Sequence, residues 1–490
     1  MSIDAKLAEA KPNPYWFSTV PKAAPCAPAI HDTTCDLVIV GGGFTGLWSA
    51  LKAREQKPDA TIVVLEGKRC GQDASGRSGG FCAPSISHGV SNALTRHPNE
   101  AEMLIRLGQE NFEGYAKDID RYEMQAEFVQ DGKLNVAATP WQIDGLHSMA
   151  RNYAQFGISY ELLVGDELKE KLDSPIYSAG LFESAYGLVN PAKMVSELRR
   201  VCLAQGVVIF ENTPATSLTR DTKLMRLQTP NANIRAKQVI LATNSAKPLL
   251  KRLSLSFIPI YDYSLVTEPL SNAQWASIGW LGRYGVSDSG NQFHYFRKTA
   301  DNRMLWAGFD AIYHYGSNRS DTLLQRPESF ALLAEQFTET FPSLVGVKFD
   351  FKWGGIIDTS ARTTFFSDTA HRGQVAYAMG FTGQGVTASR FAALTMLDRL
   401  GSLDTDRTRL KMLGRVRSVG LDEAELLSRI EDSDYPAQIE RGFVITVEGF
   451  DWNCPQHITP RFTETEIEGQ LSGLRAENLR LEKLIAGAGA

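Results

Sequence analysis

The sequence predicts a mixed α/β fold, in which a Rossmann-like domain is interrupted by a second domain built on an antiparallel sheet. Short apolar runs of strand length alternate with helical segments over the first 400 residues, as in parallel sheets buried on both faces. Aromatic and β-branched residues concentrate at 261–268, 292–297, 303–309 and 348–353, which is typical of antiparallel strands. A chain of 490 residues is also too long for one compact core.

The Rossmann-like elements are scattered along the chain. CDLVIV (35–40) predicts a strand that a glycine turn follows, and TIVVL (61–65) predicts a second strand after a helix. Later come a helix at 194–203, strands at 207–210, 237–242 and 374–379, and a last helix to Met396. The predicted division is an N-terminal arm (1–34), a discontinuous Rossmann-like domain (35–100, 185–260 and 350–400), a second domain (101–184 and 261–349) and a C-terminal appendage (401–490).

Composition narrows the class of protein. The formal net charge of −5 gives no reason to expect nucleic acid as a partner, and no apolar run is long enough to span a bilayer. The start of the chain lacks the pattern of a secretory signal, and the six cysteines form no CxxC pair. We therefore expect a cytoplasmic protein with free thiols and no metal site. In the arm, YWF at 15–17 predicts an anchor onto the folded body.

The first glycine turn, 41–46, carries a GxGxxG pattern between the first strand and the first helix. Gly41 permits the tight turn, Gly43 lets the backbone approach a pyrophosphate, and Gly46 lets the helix pack on the sheet. Glu66 ends the next strand, where a carboxylate accepts hydrogen bonds from a ribose diol. The turn predicts a dinucleotide site and by itself admits either NAD or FAD.

Two further glycine-rich segments favour FAD. The second glycine loop, ASGRSGG (74–80), directly follows the first strand–helix–strand unit, and the third glycine loop, GFTGQGV (380–386), precedes the last helix. A second helix N-terminus stabilises negative charge on a reduced flavin. We expect non-covalent FAD with its ring between these loops, because Cys82, the nearest thiol, is more typical of a buried, inert cysteine.

These motifs resemble the D-amino-acid-oxidase-like (DAO) superfamily of FAD-dependent oxidoreductases, in particular its γ-glutamylputrescine-oxidase-like and aminophosphonate-oxidoreductase-like branch. The matching segments also include ENTPATSL (211–218), VILATNSA (239–246) and ADNRMLWAGFDAIYHYG (300–316), so the resemblance covers 35 to about 400. Two positions depart from the branch. Ser78 stands where Asn is usual, and Asp358 lacks the proline that commonly follows it after the Trp-Gly of the late strand.

The resemblance implies oxidation of a C–N bond in a small amine or amino acid, by hydride transfer to flavin N5. An imine and then a carbonyl would form, and oxygen or another acceptor would reoxidise the flavin. Two alternatives stay open. The protein could be a catalytically silent flavin-binding scaffold, which the altered loop after Trp353 and the unusual tail motivate, or an FAD enzyme that acts on 2-hydroxy acids or hydroxylates with NAD(P)H.

Site residues follow from the motifs and from the resemblance. The residues predicted to bind FAD are Gly41, Gly43, Phe44, Thr45, Gly46, Glu66, Gly67, Ala74, Ser75, Gly76, Arg77, Ser78, Gly79, Gly80, Ala215, Ala242, Thr243, Asn244, Gly354, Gly380, Thr382, Gly383, Gln384, Gly385 and Val386. The catalytic candidates are His88, Tyr263, His294 and Gln384. For His88 a bond to backbone is the alternative, and for Tyr263 and His294 it is core packing.

The appendage resembles no family known to us. The basic stretch 407–419 suggests a solvated helix face, and 442–447 predicts a strand. The segment 466–485 predicts a terminal helix whose apolar residues follow a 4–3 spacing, with Asn478 at one seam position. This helix suits either a homodimer contact or packing on its own subunit.

Overall fold

The computed structural model describes residues 2–401, 409–419 and 442–453. The chain divides into two units, 1–403 and 404–490, and each is described by itself. The α-helices are α1 (Ile3–Leu7), α2 (Phe44–Gln56), α3 (Ala74–Arg77), α4 (Val90–Arg96), α5 (Ala101–Arg121), α6 (Pro140–Gln155), α7 (Gly165–Lys169), α8 (Pro191–Ala204), α9 (Asn272–Ala276), α10 (Pro327–Thr340) and α11 (Gly385–Arg399).

The strands belong mostly to two large sheets. They are β1 (Thr33–Val40), β2 (Ile62–Leu65), β3 (Phe81–Cys82), β4 (Lys133–Ala137), β5 (Tyr160–Val164), β6 (Ala179–Glu183), β7 (Gly187–Leu188), β8 (Val208–Phe210), β9 (Ser217–Asp221), β10 (Leu224–Gln228), β11 (Asn233–Leu241), β12 (Ile258–Thr267), β13 (Gly285–Asp288), β14 (His294–Lys298), β15 (Met304–Gly308), β16 (Ile312–Tyr313), β17 (Phe349–Thr359), β18 (Phe366–Ala370), β19 (Val375–Met379), β20 (Arg409–Val419) and β21 (Gly442–Asn453).

The first sheet has the strand order β18-β19-β11-β1-β2-β8, and its central strands are parallel. Helices α2, α5, α8 and α11 contribute buried side chains to the apolar layer on one side of it. Because parallel strands end at the same edge, the chain leaves β1, β11 and β19 at one place. The first glycine turn, the segment 242–244 and the third glycine loop therefore share this edge. The predicted mixed α/β class is confirmed.

The second sheet has the order β16-β12-β15-β14-β13-β4-β6-β5, with β17 paired to the other edge of β12. Almost all of its pairs are antiparallel. Successive side chains alternate between its two sides. Tyr263, Phe296 and Trp306 pack with Phe330 and Phe337 of α10, which defines the helix side of this sheet. Their sequence neighbours project from the opposite side, which we call the loop side because it carries the contacts to the glycine loops described below.

Two predicted domain boundaries differ from the structure. Residues 350–359 were assigned to the Rossmann-like domain, yet β17 pairs along ten residues of β12 and so belongs to the second sheet. Helix α5 was assigned to the second domain, yet its Phe112, Tyr115 and Ile119 lie in the core that α2 and α11 share. In both cases contacts with residues distant in sequence decide to which domain the segment belongs. The position of the segment along the chain does not reveal those contacts. The remaining boundaries stay predictions.

The N-terminal arm is anchored at its aromatic segment, as predicted. Tyr15 and Trp16 are buried in a cluster with Phe351 and Trp353 of β17. The Tyr15 hydroxyl donates a 2.5 Å hydrogen bond to Asp301. Further along the arm, the backbone N–H of Cys26 donates to the carboxylate of Glu211, beside the first sheet. The arm therefore contacts both sheets.

The second unit contains an antiparallel pair, β20 and β21, whose register shifts between Leu413 and Gly414. The predicted helix face at 407–419 is wrong, because the part at 409–419 is a strand. Its basic residues, Arg409, Lys411, Arg415 and Arg417, are separated by even numbers of positions, as the period of two of a strand requires for residues on one side. The predicted strand at 442–447 is confirmed and extends to Asn453. The predicted terminal helix and its dimer contact lie outside the described residues.

The cysteines within the described residues are free: Cys26, Cys35, Cys70, Cys82 and Cys202. Burial raises the pKa of the Cys82 thiol to about 12, as expected for an inert cysteine. Over the same residues there is no cluster of three potential metal ligands. None of the described helices combines the length and apolar character needed to cross a membrane.

Candidate functional site

The first glycine turn is packed too closely for any side chain at two of its positions. Gly41 has φ +113°, and an added Cβ there would lie 2.3 Å from the carbonyl oxygen of Ala242. A Cβ on Gly46 would lie 1.8 Å from the carbonyl oxygen of Gly41. Helix α2 begins directly after Gly43, so its first backbone N–H groups point out of the turn. This arrangement suits a phosphate at the helix N-terminus.

Glu66 connects the first glycine turn to the segment after β2. One carboxylate oxygen accepts a 2.7 Å hydrogen bond from the backbone N–H of Gly42, and the other accepts a 2.7 Å hydrogen bond from the backbone N–H of Lys68. Burial raises the pKa of this carboxyl group, and the two N–H donors oppose that shift. Its predicted contact with a ribose stays a prediction, and its place at the end of β2 suits that role.

The second glycine loop lies between the first glycine turn and β17. The hydroxyl of Ser75 accepts a 2.9 Å hydrogen bond from the backbone N–H of Phe44 at the start of α2. On the other side, the Trp353 indole donates to the carbonyl of Arg77 at 3.1 Å, and the Arg77 guanidinium donates to the carbonyl of Gly354 at 3.1 Å. The loop is thus fixed to both sheets.

Arg297 supports the end of the second glycine loop, and sequence reasoning did not find this role. Its side chain is buried, and it donates to the carbonyl oxygens of Gly79 at 3.2 Å and Val189 at 2.6 Å. The guanidinium also lies 5.3 Å from the ring centroid of Trp16. Burial lowers the pKa of Arg297 to about 10. The sequence shows only an arginine in a strand, and it gives no sign that the side chain binds backbone carbonyl groups.

The third glycine loop is held by Asp358, a role that no local pattern in the sequence indicates. The Asp358 carboxylate accepts hydrogen bonds from the backbone N–H groups of Gly380 at 2.6 Å and Phe381 at 3.2 Å. Thr382, with φ +51°, donates its N–H to the Asp358 carbonyl. His88 reaches the same loop, with Nε2 3.0 Å from the Thr382 carbonyl oxygen. The structure thus places His88 against a backbone carbonyl of this loop.

Three buried polar atoms around these loops have no hydrogen-bond partner among the described residues. They are Ser78 Oγ in the second glycine loop, Thr243 Oγ1 after β11, and Gln384 Oε1 at the start of α11. Buried polar groups in proteins are almost always paired. A ligand with oxygen and nitrogen atoms along its length, such as FAD, would satisfy all three. Together with the crowded glycine turn, they fit the predicted cofactor.

The other predicted cofactor residues occupy simpler positions. Gly67 faces Pro214, and an added Cβ on Gly354 would lie 3.0 Å from the Tyr263 ring and 2.9 Å from the Leu324 carbonyl oxygen. Val386 points its side chain into the core beside the first sheet. Ala215 packs at the edge of the apolar cluster on the other side. Their contacts with FAD, and those of the remaining predicted residues, stay predictions.

Tyr263 lies on the helix side of the second sheet, in the core. Its ring packs edge-on against Phe330 of α10, with centroids 5.6 Å apart. Its hydroxyl donates a 2.9 Å hydrogen bond to the Leu323 carbonyl. The predicted catalytic role stays a prediction, and this geometry favours the core-packing alternative.

His294 lies on the same helix side as Tyr263. Its Nδ1 is 2.8 Å from Asp288 Oδ2, and its Nε2 is 3.0 Å from Gln336 Oε1 of α10. The imidazole stacks on Trp306, with ring centroids 4.4 Å apart. Both ring nitrogens are therefore engaged within the core. The geometry again favours packing over the predicted catalytic role.

The loop side of the second sheet presents different residues to the glycine loops. An added Cβ on Gly79 would lie 2.7 Å from the ring of Tyr295, so this tyrosine directly contacts the second glycine loop. The Tyr295 hydroxyl donates a 2.5 Å hydrogen bond to Asp262 Oδ2. Asp262 and Tyr295 are the sequence neighbours of Tyr263 and His294. The sequence signal that could have found them is this two-residue alternation, but it does not say which side faces the loops.

Comparisons with known proteins agree with this architecture. A family model described as "FAD dependent oxidoreductase" (DAO) matches residues 36–399. A probable oxidoreductase OrdL of Haemophilus influenzae is 28% identical over 390 residues, covering 77% of this chain and 85% of that protein. A gamma-glutamylputrescine oxidoreductase of Escherichia coli is 29% identical over 398 residues, covering 79% and 88%. The solved glycine oxidase from Geobacillus kaustophilus has the same fold, with a TM-score of 0.64 at 18% identity over 76% of this chain and 96% of that one.

Proposed function

Because this chain belongs to the DAO family of FAD-dependent oxidoreductases, we propose that it oxidises the C–N bond of a small amine or amino acid. When bound, FAD would supply the acceptor for the hydride that leaves the carbon next to nitrogen. The imine formed in the substrate would then be hydrolysed to a carbonyl compound. The chain's own residues bind, orient and deprotonate the substrate.

The residues that would hold FAD come from all three glycine-rich segments. The first glycine turn and the N-terminus of α2 suit the pyrophosphate, and Glu66 suits the ribose beyond it. Ser78, Thr243 and Gln384 offer buried polar atoms along the same edge of the first sheet. This set supports non-covalent binding, since the buried Cys82 thiol is a poor nucleophile.

The observation that carries the proposal is the Asp262–Tyr295 pair on the loop side of the second sheet. The negative charge of a carboxylate attracts the ammonium group of an amine and repels the carboxylate of a 2-hydroxy acid. Two guanidinium groups lie near the loops, those of Arg77 and Arg297, and both donate hydrogen bonds to backbone carbonyls. Neither guanidinium is therefore preorganised to bind a substrate carboxylate. The site therefore suits an amine better than a 2-hydroxy acid.

Lys133 keeps amino acids among the candidate substrates. It projects from β4, and its ammonium lies 5.3 Å from the ring centroid of Tyr186. Burial lowers the pKa of Lys133 to about 8, and the charge of Glu183 partly offsets this effect. A substrate carboxylate reaching this far along the sheet would meet a cation. The similar proteins include a gamma-glutamylputrescine oxidoreductase and a glycine oxidase, whose names cover both substrate classes.

The test is flavin reduction under anaerobic conditions. We expect the purified protein to be yellow, or to become so with added FAD, and to bleach with the correct compound from a panel of primary amines, N-methyl amines and amino acids. Bleaching only by 2-hydroxy acids, or only by NAD(P)H, would replace the proposal with one of those reactions. Silence of a fully flavin-loaded protein across the panel would favour a non-catalytic scaffold. Reoxidation by oxygen compared with an artificial dye then identifies the class of acceptor.

A further inference from the structure

Resting on the amine oxidation proposed above, we propose that Asp262 is the base that takes the ammonium proton of the substrate, and that Tyr295 holds the substrate nitrogen beside it. The reacting amine arrives largely protonated at neutral pH, and a protonated nitrogen has no lone pair to assist loss of hydride from the neighbouring carbon. A group that removes this proton at the flavin is therefore useful to the reaction.

Three residues of β17 fix the position of Asp262 between the second and third glycine loops. Trp353 bonds to Arg77 of the second loop, and the side chain of Ile357 lies 3.9 Å from the position of an added Cβ on Gly383 in the third. Gly355, midway between them on the loop side, is the cross-strand partner of Asp262. Since Gly355 has no side chain, the nearest side-chain atom at this place is the Cβ of Arg77, 3.8 Å from the position of an added Cβ.

The hydrogen bonds of Asp262 leave it able to accept another. Its carboxylate accepts a 2.5 Å hydrogen bond from the Tyr295 hydroxyl, and the backbone N–H of Tyr263 lowers its pKa. Within residues 2–401, no lysine or arginine forms an ion pair with Asp262, although burial disfavours its charged form. A partly buried carboxylate that lacks a cationic partner is suited to a cationic ligand.

The proton balance of the step is simple. An N–H bond of the substrate ammonium breaks, an O–H bond forms on Asp262, and the electron pair stays on nitrogen. That lone pair then assists hydride departure from the adjacent carbon to FAD, which leaves a C=N bond in the substrate. Asp262 afterwards releases its proton to solvent.

The surroundings of Asp262 give it the basicity that the step needs. Burial raises its pKa to about 6, and the charge of Asp310 adds to this shift. Tyr295, the Tyr263 N–H and the charge of His294 act in the opposite direction. The Arg77 side chain passes near Gly355, with its guanidinium bonded to Gly354 and Gln72. A base with a pKa near the working pH is ionised there and still able to bind a proton.

The experiment compares Asp262→Asn and Tyr295→Phe with two matched variants in flavin-loaded protein. Asp288→Asn makes the same change on the helix side of the sheet, and Tyr284→Phe removes a buried hydroxyl that bonds to the Lys171 carbonyl. Asp262→Glu keeps a carboxylate and serves as the conservative variant. Anaerobic flavin reduction by an amine that reduces the wild type is measured from pH 5 to 10, and folding is checked by thermal unfolding and the flavin spectrum.

We expect Asp262→Asn to lower kcat/KM at pH 7 on the order of 10²–10⁴-fold. The wild-type rate should fall below about pH 6, where Asp262 is protonated. In Asp262→Asn this fall in rate on the acid side, the acid limb, should disappear. The rate of the variant should instead follow the deprotonation of the free amine, and so rise only as the pH approaches the pKa of the amine. Tyr295→Phe should lower the rate less, Asp262→Glu should retain the acid limb, and both matched variants should keep the wild-type profile.

The inference is overturned if folded, flavin-loaded Asp262→Asn keeps the wild-type rate and acid limb, or if Asp288→Asn changes the profile as much. Failure of the proposed function looks different, because then no amine reduces the flavin of the wild type. Should Asp262→Asn not fold, Asp262→Glu and Tyr295→Phe carry the comparison. A wild-type rate in Tyr295→Phe would then overturn the inference, because Asp262→Glu keeps the carboxylate and is expected to retain the acid limb.

Discussion

The carboxylate of Asp358 accepts a 2.6 Å hydrogen bond from the backbone N–H of Gly380, where the third glycine loop leaves the first sheet. Asp358 belongs to β17 of the second sheet, so this contact joins the two sheets at the predicted flavin site. Its other oxygen accepts the N–H of Phe381. One side chain thus fixes two successive backbone groups of the loop.

Replacing Asp358 with alanine should weaken both the fold and FAD binding. The change leaves the N–H groups of Gly380 and Phe381 without an acceptor in a buried place, at a cost of about 1–3 kcal/mol for each group that finds no water. We expect a lower thermal midpoint and faster release of FAD, measured by unfolding and by flavin fluorescence. Asp368→Ala is the control, because its side chain is largely exposed on β18. An unchanged FAD release rate in Asp358→Ala would contradict this role.

The same carboxyl group predicts a pH dependence of stability. Burial raises the pKa of Asp358 to about 7, above its ordinary value of 3.8. Between these values the folded state holds a proton that the unfolded state has released, so the free energy of unfolding falls as pH rises from about 4 to 7. We expect the stability difference between wild type and Asp358→Ala to be larger at pH 5 than at pH 8, by urea denaturation. A difference that grows with pH would show that the folded state prefers the ionised carboxylate.

Gly46→Ala should abolish FAD binding. Its Cβ would lie 1.8 Å from the Gly41 carbonyl oxygen, so the first glycine turn must open or α2 must move off the sheet. We expect protein without bound flavin and a loss of stability, measured by absorbance at the flavin band and by thermal unfolding. Gly145→Ala is the matched control, because Gly145 lies exposed in α6 with no atom near the added Cβ. That change should leave flavin content intact and stabilise α6 by about 0.5–1 kcal/mol.

The variant Ser78→Ala tests whether the Ser78 hydroxyl contacts the cofactor or stabilises the protein itself. Since Ser78 Oγ has no hydrogen-bond partner within the described residues, its loss should leave the stability of the flavin-free protein nearly unchanged. If the hydroxyl bonds FAD, the dissociation constant should rise by about 3–10-fold, the effect of one ordinary hydrogen bond. Ser329→Ala is the contrasting variant, because Ser329 bonds to Asp310 and Arg326. It should lower stability without changing FAD affinity, and the reverse pattern would refute the assignment of Ser78.

The sequence predicted the parts of the site that depend on backbone. Gly41 and Gly46 are required by contacts within a few residues and one neighbouring strand, so their spacing alone identifies the turn. The side chains that face the loops were not predictable in this way. Both sides of β12 are largely buried, so Tyr263 and Asp262 each fit the alternation, and only the packing of α10 shows which side is the core. Asp358 and Arg297 act on backbone groups distant in sequence, and no local pattern reports such contacts.

The ring of Trp16 lies under the guanidinium of Arg297. The indole is buried with Trp353 and Leu305, so Trp16→Ala removes a large side chain from the junction of the arm and the second sheet. We expect a loss of about 3–5 kcal/mol in the free energy of unfolding, the usual cost for a buried tryptophan. Trp141→Ala is the control, since Trp141 is exposed on α6 and should change stability little.

Trp16→Ala should also weaken FAD binding, because Arg297 reaches from Trp16 to the Gly79 carbonyl of the second glycine loop. With the ring gone, the guanidinium gains freedom and holds this carbonyl less tightly. FAD affinity measured under conditions where the variant is fully folded separates this effect from simple unfolding. A fully folded Trp16→Ala protein with wild-type FAD affinity would mean that the arm stabilises the second sheet alone and does not act on the loop.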